Sequence, residues 1–134
     1  MERNALIPNE HEMNELADRL TQAYSQNDTG TIVACYAPDA RIWHNFDEVE
    51  QTVDEQLAAT QWLHETLKNL AYEIKARRFF DGGYVQQYVV HGTTVKGGAA
   101  FRMPLCMSVA VRDGRISRLD EYLDSAHLKP LQDA

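Results

Sequence analysis

The chain has 134 residues, a length that fits one domain able to bury roughly 65–70% of its unfolded surface. Hydrophobic residues at 44% and charged residues at 25% exclude a disordered chain, and a formal net charge of −7 disfavours a nucleic-acid partner. The opening "MERNALIPNEHEMNEL" has no long apolar run and is read as no signal peptide, and no segment approaches the ~20 apolar residues of a membrane helix.

The first half reads as helical. Asn9 followed by Glu12 marks a helix start, with Glu10 and Glu12 suiting the positive helix end. Met13, Leu16, Leu20 and Tyr24 then recur at three- and four-residue steps and form one apolar stripe, which "QNDTG" closes. "TIVACYA" suits a short second helix stopped by Pro38, and "RIWHN" reads as a strand. Thr52 and Glu55 stand at capping-box spacing ahead of a third helix whose buried face holds Val53, Leu57, Leu63 and Leu67.

The period then changes. "LAYEIKARRFF", "YVQQYVVHGT", "AFRMPLCMSVAV" and "RISRLDEYL" are rich in β-branched and aromatic residues and are separated by "DGG", "VKGG" and "DG". Helices followed by such a run predict an α+β fold over residues 1–134: a curved, mainly antiparallel sheet wrapped by three N-terminal helices around a deep pocket.

Alternation sorts side chains between the two faces of each strand. Ala40, Ile42 and His44 share one face, opposite Arg41, Trp43 and Asn45. Val85, Gln87, Val89 and His91 share another, and Ser117, Leu119, Glu121 and Leu123 a third. Phe101, Met103, Leu105, Met107, Val109 and Val111 make a core face. Three largely apolar faces thus each carry one titratable group, His44, His91 and Glu121, and an unpartnered polar group costs about 1–3 kcal/mol to bury. These three are the candidate acid–base residues. Tyr24, Trp43, Trp62 and Met103 are the candidate ligand-contacting residues. Each of the three faces also admits the plainer reading of a hydrogen-bonded core residue.

Other chemistry is less well supplied. His11, His64 and His127 read as solvated. Arg77, Arg78, Arg102 and Arg112 read as residues of the outer sheet face or its edge. The acidic stretches "DEVE" and "DEYLD" read as a solvated face, which ranks Asp120 below Glu121. Cys35 and Cys106 lack CxxC or metal-like spacing and read as buried free thiols of a reducing cytoplasm. No HxD or HxxxH spacing supports a metal, no GxSxG turn supports a nucleophilic serine, and "KGGAAF" is no phosphate loop. No cofactor is expected.

The order of helix, short helix, "YAPDARIWHN", capped third helix, "DGGYVQQYVVHGT" and "VAVRDGRISRLDEYLD" resembles the SnoaL-like branch of the nuclear-transport-factor-2-like superfamily. Ketosteroid isomerase, scytalone dehydratase and limonene epoxide hydrolase belong to that superfamily. The resemblance implies a cone-shaped fold, a homodimer formed through the outer sheet face, and cofactor-free acid–base chemistry on a hydrophobic small molecule. By that resemblance His44 takes a polar pocket position of the first strand, His91 a pocket position of a later strand, and Glu121 the acid of a "DYFD"-type ending. The chain lacks the Arg-x-Asp pair of the epoxide hydrolases and the paired aspartates of ketosteroid isomerase. The implied function is an isomerase, cyclase or lyase with His44 or Glu121 as base; the alternative is a non-catalytic ligand-binding or dimerisation module.

Overall fold

The computed structural model describes residues 10–132. The proposed helix start at Asn9 lies outside them. Helix α1 (Glu10–Gln26) buries Met13, Leu16 and Leu20 along the expected stripe. Asn27 then takes a left-handed backbone (φ 53), and Asp28 caps α2 (Thr29–Cys35) by accepting from the Thr31 amide.

Helix α2 stops at Cys35, before Pro38 is reached. Tyr36 is already extended, and strand β1 (Tyr36–His44) contains the proline. A residue preceding proline is pushed out of the helical region, so the restriction acts upstream of the ring. Pro38 is tolerated because the pairing of β1 with its neighbour is irregular between Tyr36 and Arg41.

Two residues, Glu50–Gln51, form β2. The capping box at Thr52 and Glu55 is present and opens α3 (Val53–Thr66). Four long strands follow: β3 (Leu67–Phe80), β4 (Gly83–Thr94), β5 (Ala100–Arg112) and β6 (Arg115–Leu123). The sheet order is β2-β1-β6-β5-β4-β3, antiparallel throughout except where β1 runs parallel to β6. Asp113 and Gly114 both have positive φ, as the tight β5–β6 turn requires.

Register breaks in β3 at Lys68/Ala71 and Ile74/Ala76 bend the sheet, as bulges do. The open, curved sheet wraps the helices in a cone, and its concave face carries the core. The chain beyond β6 is more than a solvated tail: a short 3-10 helix (Ser125–Leu128) and α4 (Lys129–Gln132) fold back, burying Leu131. Among the described residues no helix is long and apolar enough to cross a membrane.

Candidate active site

Between the concave face and helices α1 and α3 lies a cavity of about 180 Å³. Its walls are largely Leu20, Leu63, Val90, Met103, Leu105 and Leu119, with Leu128 and Leu131 from the C-terminal segment closing one side. His44 and Glu121 reach this apolar space together. They are register partners on β1 and β6, and His44 Nε2 lies 3.1 Å from Glu121 Oε1. The other carboxylate oxygen, Oε2, accepts the Tyr88 hydroxyl in a buried contact. Glu121 is 9% exposed, so both oxygens need these partners.

With Glu121 ionised, Nε2 carries the hydrogen that it donates, which leaves Nδ1 as the basic nitrogen. Burial pulls the His44 pKa down, but the hydrogen bond and charge of Glu121, with the charge of Asp47, outweigh it and raise the net value. Burial, then the Glu121 charge, pushes the Tyr88 hydroxyl well above its ordinary range, so that it stays a donor. The Tyr72 ring stacks on Tyr88 at 6.0 Å and fixes its orientation.

A second hydroxyl group faces the cavity. Tyr24 on α1 lines it and shares a 2.7 Å hydrogen bond with the buried Tyr36. Desolvation raises both phenols, keeping them protonated. When Tyr36 donates to Tyr24, the hydrogen of Tyr24 is free for a ligand oxygen. His64, expected to be solvated, instead donates from Nε2 to the Tyr24 carbonyl at 2.8 Å, tying α3 to α1 beside the cavity.

His91 does not join the set. In β4 the even residues Gln86, Tyr88 and Val90 line the cavity, so His91 projects to the opposite face, where its Nε2 lies 2.9 Å from Glu73 Oε1. Trp43 likewise faces away from the cavity, edge-on to Tyr122 at 5.4 Å. Met103 and Trp62 both line the cavity; Trp62 stands at its rim, 46% exposed.

Arg77 is a further correction. It lies on the edge strand β3, but its side chain turns to the concave rather than the outer face and packs under α1, with Nε 2.9 Å from Gln86 Oε1 and Nη1 bonded to Asn14 (2.7 Å) and Asp18 (2.8 Å). Sequence reasoning missed Tyr88, Tyr36, Gln86 and Arg77. The even-numbered residues of β4, two tyrosines and a glutamine, were the available signal. Among the described residues, no three His, Cys, Asp or Glu side chains converge as metal ligands.

The sequence profile described as the SnoaL-like domain matches residues 17–119. No curated protein matches the chain in sequence. Among solved structures, IdmH, a proposed polyketide cyclase from Streptomyces antibioticus, superposes with a TM-score of 0.78 at 18% identity, covering 90% of this chain and 98% of that one. AclR, a proposed hydroxylase from Streptomyces galilaeus, gives 0.79 at 15% identity, covering 92% and 98%. A protein of ketosteroid isomerase-like fold from Catenulispora acidiphila, bound to trimethylamine, gives 0.71 at 13%, covering 81% and 84%. At these identities the likeness concerns the fold.

Proposed function

The chain belongs to the SnoaL-like domain family, and from that premise we propose that it catalyses an isomerase-, cyclase- or lyase-type reaction by cofactor-free general acid–base chemistry. One observation carries the reading: a hydrogen-bonded chain, His44–Glu121–Tyr88, set into the wall of an apolar cavity.

His44 Nδ1 removes a proton from a carbon beside a carbonyl. As the imidazolium forms, its Nε2–H strengthens the bond to the Glu121 carboxylate, which Tyr88 holds in place. The electron pair of the broken C–H bond moves onto the carbonyl oxygen, and the Tyr24 hydroxyl donates to that oxyanion. The carbanion equivalent then has three exits. Taking the proton back at another carbon is isomerisation, attack on a second carbonyl is cyclisation, and loss of a β-leaving group is a lyase reaction.

The polypeptide is read as a single domain working in the cytoplasm, where free Cys35 and Cys106 remain reduced. It is read as a homodimer through the outer sheet face, which carries Ala100, Pro104, Cys106 and Ala110 of β5 beside the exposed Tyr122. Sedimentation as a monomer at micromolar concentration would contradict the dimer.

The chemical test uses 2-tetralone, a ketone with acidic α-hydrogens sized for the cavity. Wild-type protein in D2O should accelerate its hydrogen–deuterium exchange, followed by NMR. His44→Ala should lower that acceleration about hundredfold with folding intact. Equal exchange by wild type and variant would sink the base assignment, and binding without exchange would leave a ligand-holding module.

A further inference from the structure

One cross-strand row spans five strands of the concave face. Arg77 on β3 pairs with Gln86 on β4, Gln86 with Met107 on β5, Met107 with Glu121 on β6, and Glu121 with His44 on β1. The His44–Glu121 pair therefore occupies one end of the row, Arg77 the other with Gln86 next to it, and the apolar Met107 separates Gln86 from Glu121. Adjacent strands are about 4.8 Å apart, so the Cα of Gln86 stands about 10 Å from that of Glu121 and about 14 Å from that of His44. Side chains converge across a concave sheet, which narrows the gap to roughly the width of a bicyclic ring system.

The amide of Gln86 is oriented by chemistry. A guanidinium can only donate, so the atom 2.9 Å from Arg77 Nε must be the amide oxygen. The amide nitrogen then turns away from Arg77, toward Thr21 Oγ1 at 3.4 Å, and both Gln86 and Thr21 line the cavity. Thr21 accepts from Gln86 and keeps its own hydrogen to donate. Arg77 does not line the cavity and is anchored from behind by Asn14 and Asp18, with a side chain 9% exposed.

We propose that Gln86, with Thr21, forms a donor subsite for a second substrate oxygen, and that Arg77 is the positioning residue that keeps the Gln86 amide turned to donate. This rests on the acid–base reading for the other end of the ligand. The substrate class is a two-ended, ring-containing carbonyl compound. It has an acidic C–H beside its carbonyl at the His44 end and a second acceptor oxygen, such as a ketone or ether, about one ring system away. A ligand presenting a bare hydrocarbon edge there would leave the second Gln86 amide hydrogen unpaired.

The test compares 6-methoxy-2-tetralone with 2-tetralone, which lacks the second oxygen, by titration calorimetry. Wild type should bind the methoxy compound about three- to tenfold more tightly, the worth of one neutral hydrogen bond. Gln86→Leu should erase that preference while still binding 2-tetralone. Arg77→Met should reduce it by freeing the amide to turn, and Arg77→Lys, which still donates to the amide oxygen, should retain it. Should Gln86→Leu fail to fold, Thr21→Val with Arg77→Met carries the same comparison. His44→Ala should lose exchange and keep the preference, so a subsite that persists without exchange separates this proposal from the failure of the base. Equal affinity of wild type for the two ketones, no binding of either, or a Gln86→Leu variant that weakens both alike would overturn it.

Discussion

Replacing Glu121 by Gln keeps the shape of the side chain and removes its charge. The fold should persist, because the new amide can still accept from His44 Nε2 and donate to the Tyr88 hydroxyl. What changes is the pairing at 3.1 Å between the carboxylate and an imidazole that must become cationic as it takes a proton. Hydrogen bonds to charged groups contribute about 1.5–3 kcal/mol, and each 1.36 kcal/mol is tenfold in rate, so the plateau should fall by about ten- to a hundred-and-fiftyfold. The pH profile supplies a second, independent signature. His44 is pulled down by burial and lifted above its ordinary value by Glu121 and Asp47. Without the Glu121 charge the burial remains, so the midpoint at which the rate rises with pH should move to lower pH. The assay is exchange of 2-tetralone α-hydrogens in buffered D2O across a pH series. A plateau that drops while the midpoint stays put or rises would refute the argument, since it would mean that Glu121 does not set the protonation of His44.

Three further outcomes follow from the same coordinates. Tyr88→Phe strips one donor from the buried Glu121 carboxylate and should cost about 1.5–3 kcal/mol, read as a lower urea midpoint at neutral pH with an unchanged slope. Because the folded-state pKa of His44 is raised, its contribution to stability is fully present below the ordinary histidine value of about 6.5 and lost as pH rises through the folded value; urea melts should show that decline in wild type and its disappearance in Glu121→Gln. Gly83→Ala would set a Cβ 2.1 Å from the Val109 carbonyl oxygen and 2.6 Å from the Phe80 ring, so the β4–β5 ladder must open, and a loss of about 1–3 kcal/mol should appear as a depressed Tm; a Tm within a degree of wild type would contradict that packing.

Much of the candidate site could be read before any coordinates. On β1 and β6 one face is apolar and the other polar, so period-two alternation put His44 with Ile42 and Glu121 with Leu119, as found. β4 resisted the same treatment. Tyr84, Tyr88 and Val90 make one face apolar and Val85 and Val89 the other, so a one-residue ambiguity exchanges His91 for Tyr88 as the cavity residue. Arg77 failed for a related reason. An arginine in a strand is ordinarily solvated, and here α1, by bringing Asn14 and Asp18 over β3, joins Gln86 of β4 in supplying the partners that hold it under the helix.

Local chemistry is written in the sequence, because caps, turns and hydrophobic period depend on residues a few positions apart. The Thr52–Glu55 box, the Asp113–Gly114 turn and the order of helices and strands belong to that class. Which side chains meet belongs to the tertiary structure. His44 and Glu121 are 77 positions apart, and Tyr88 is 33 from Glu121. Their meeting depends on β6 inserting between β1 and β5, a pairing that no short-range pattern encodes and that burial of the whole concave face selects.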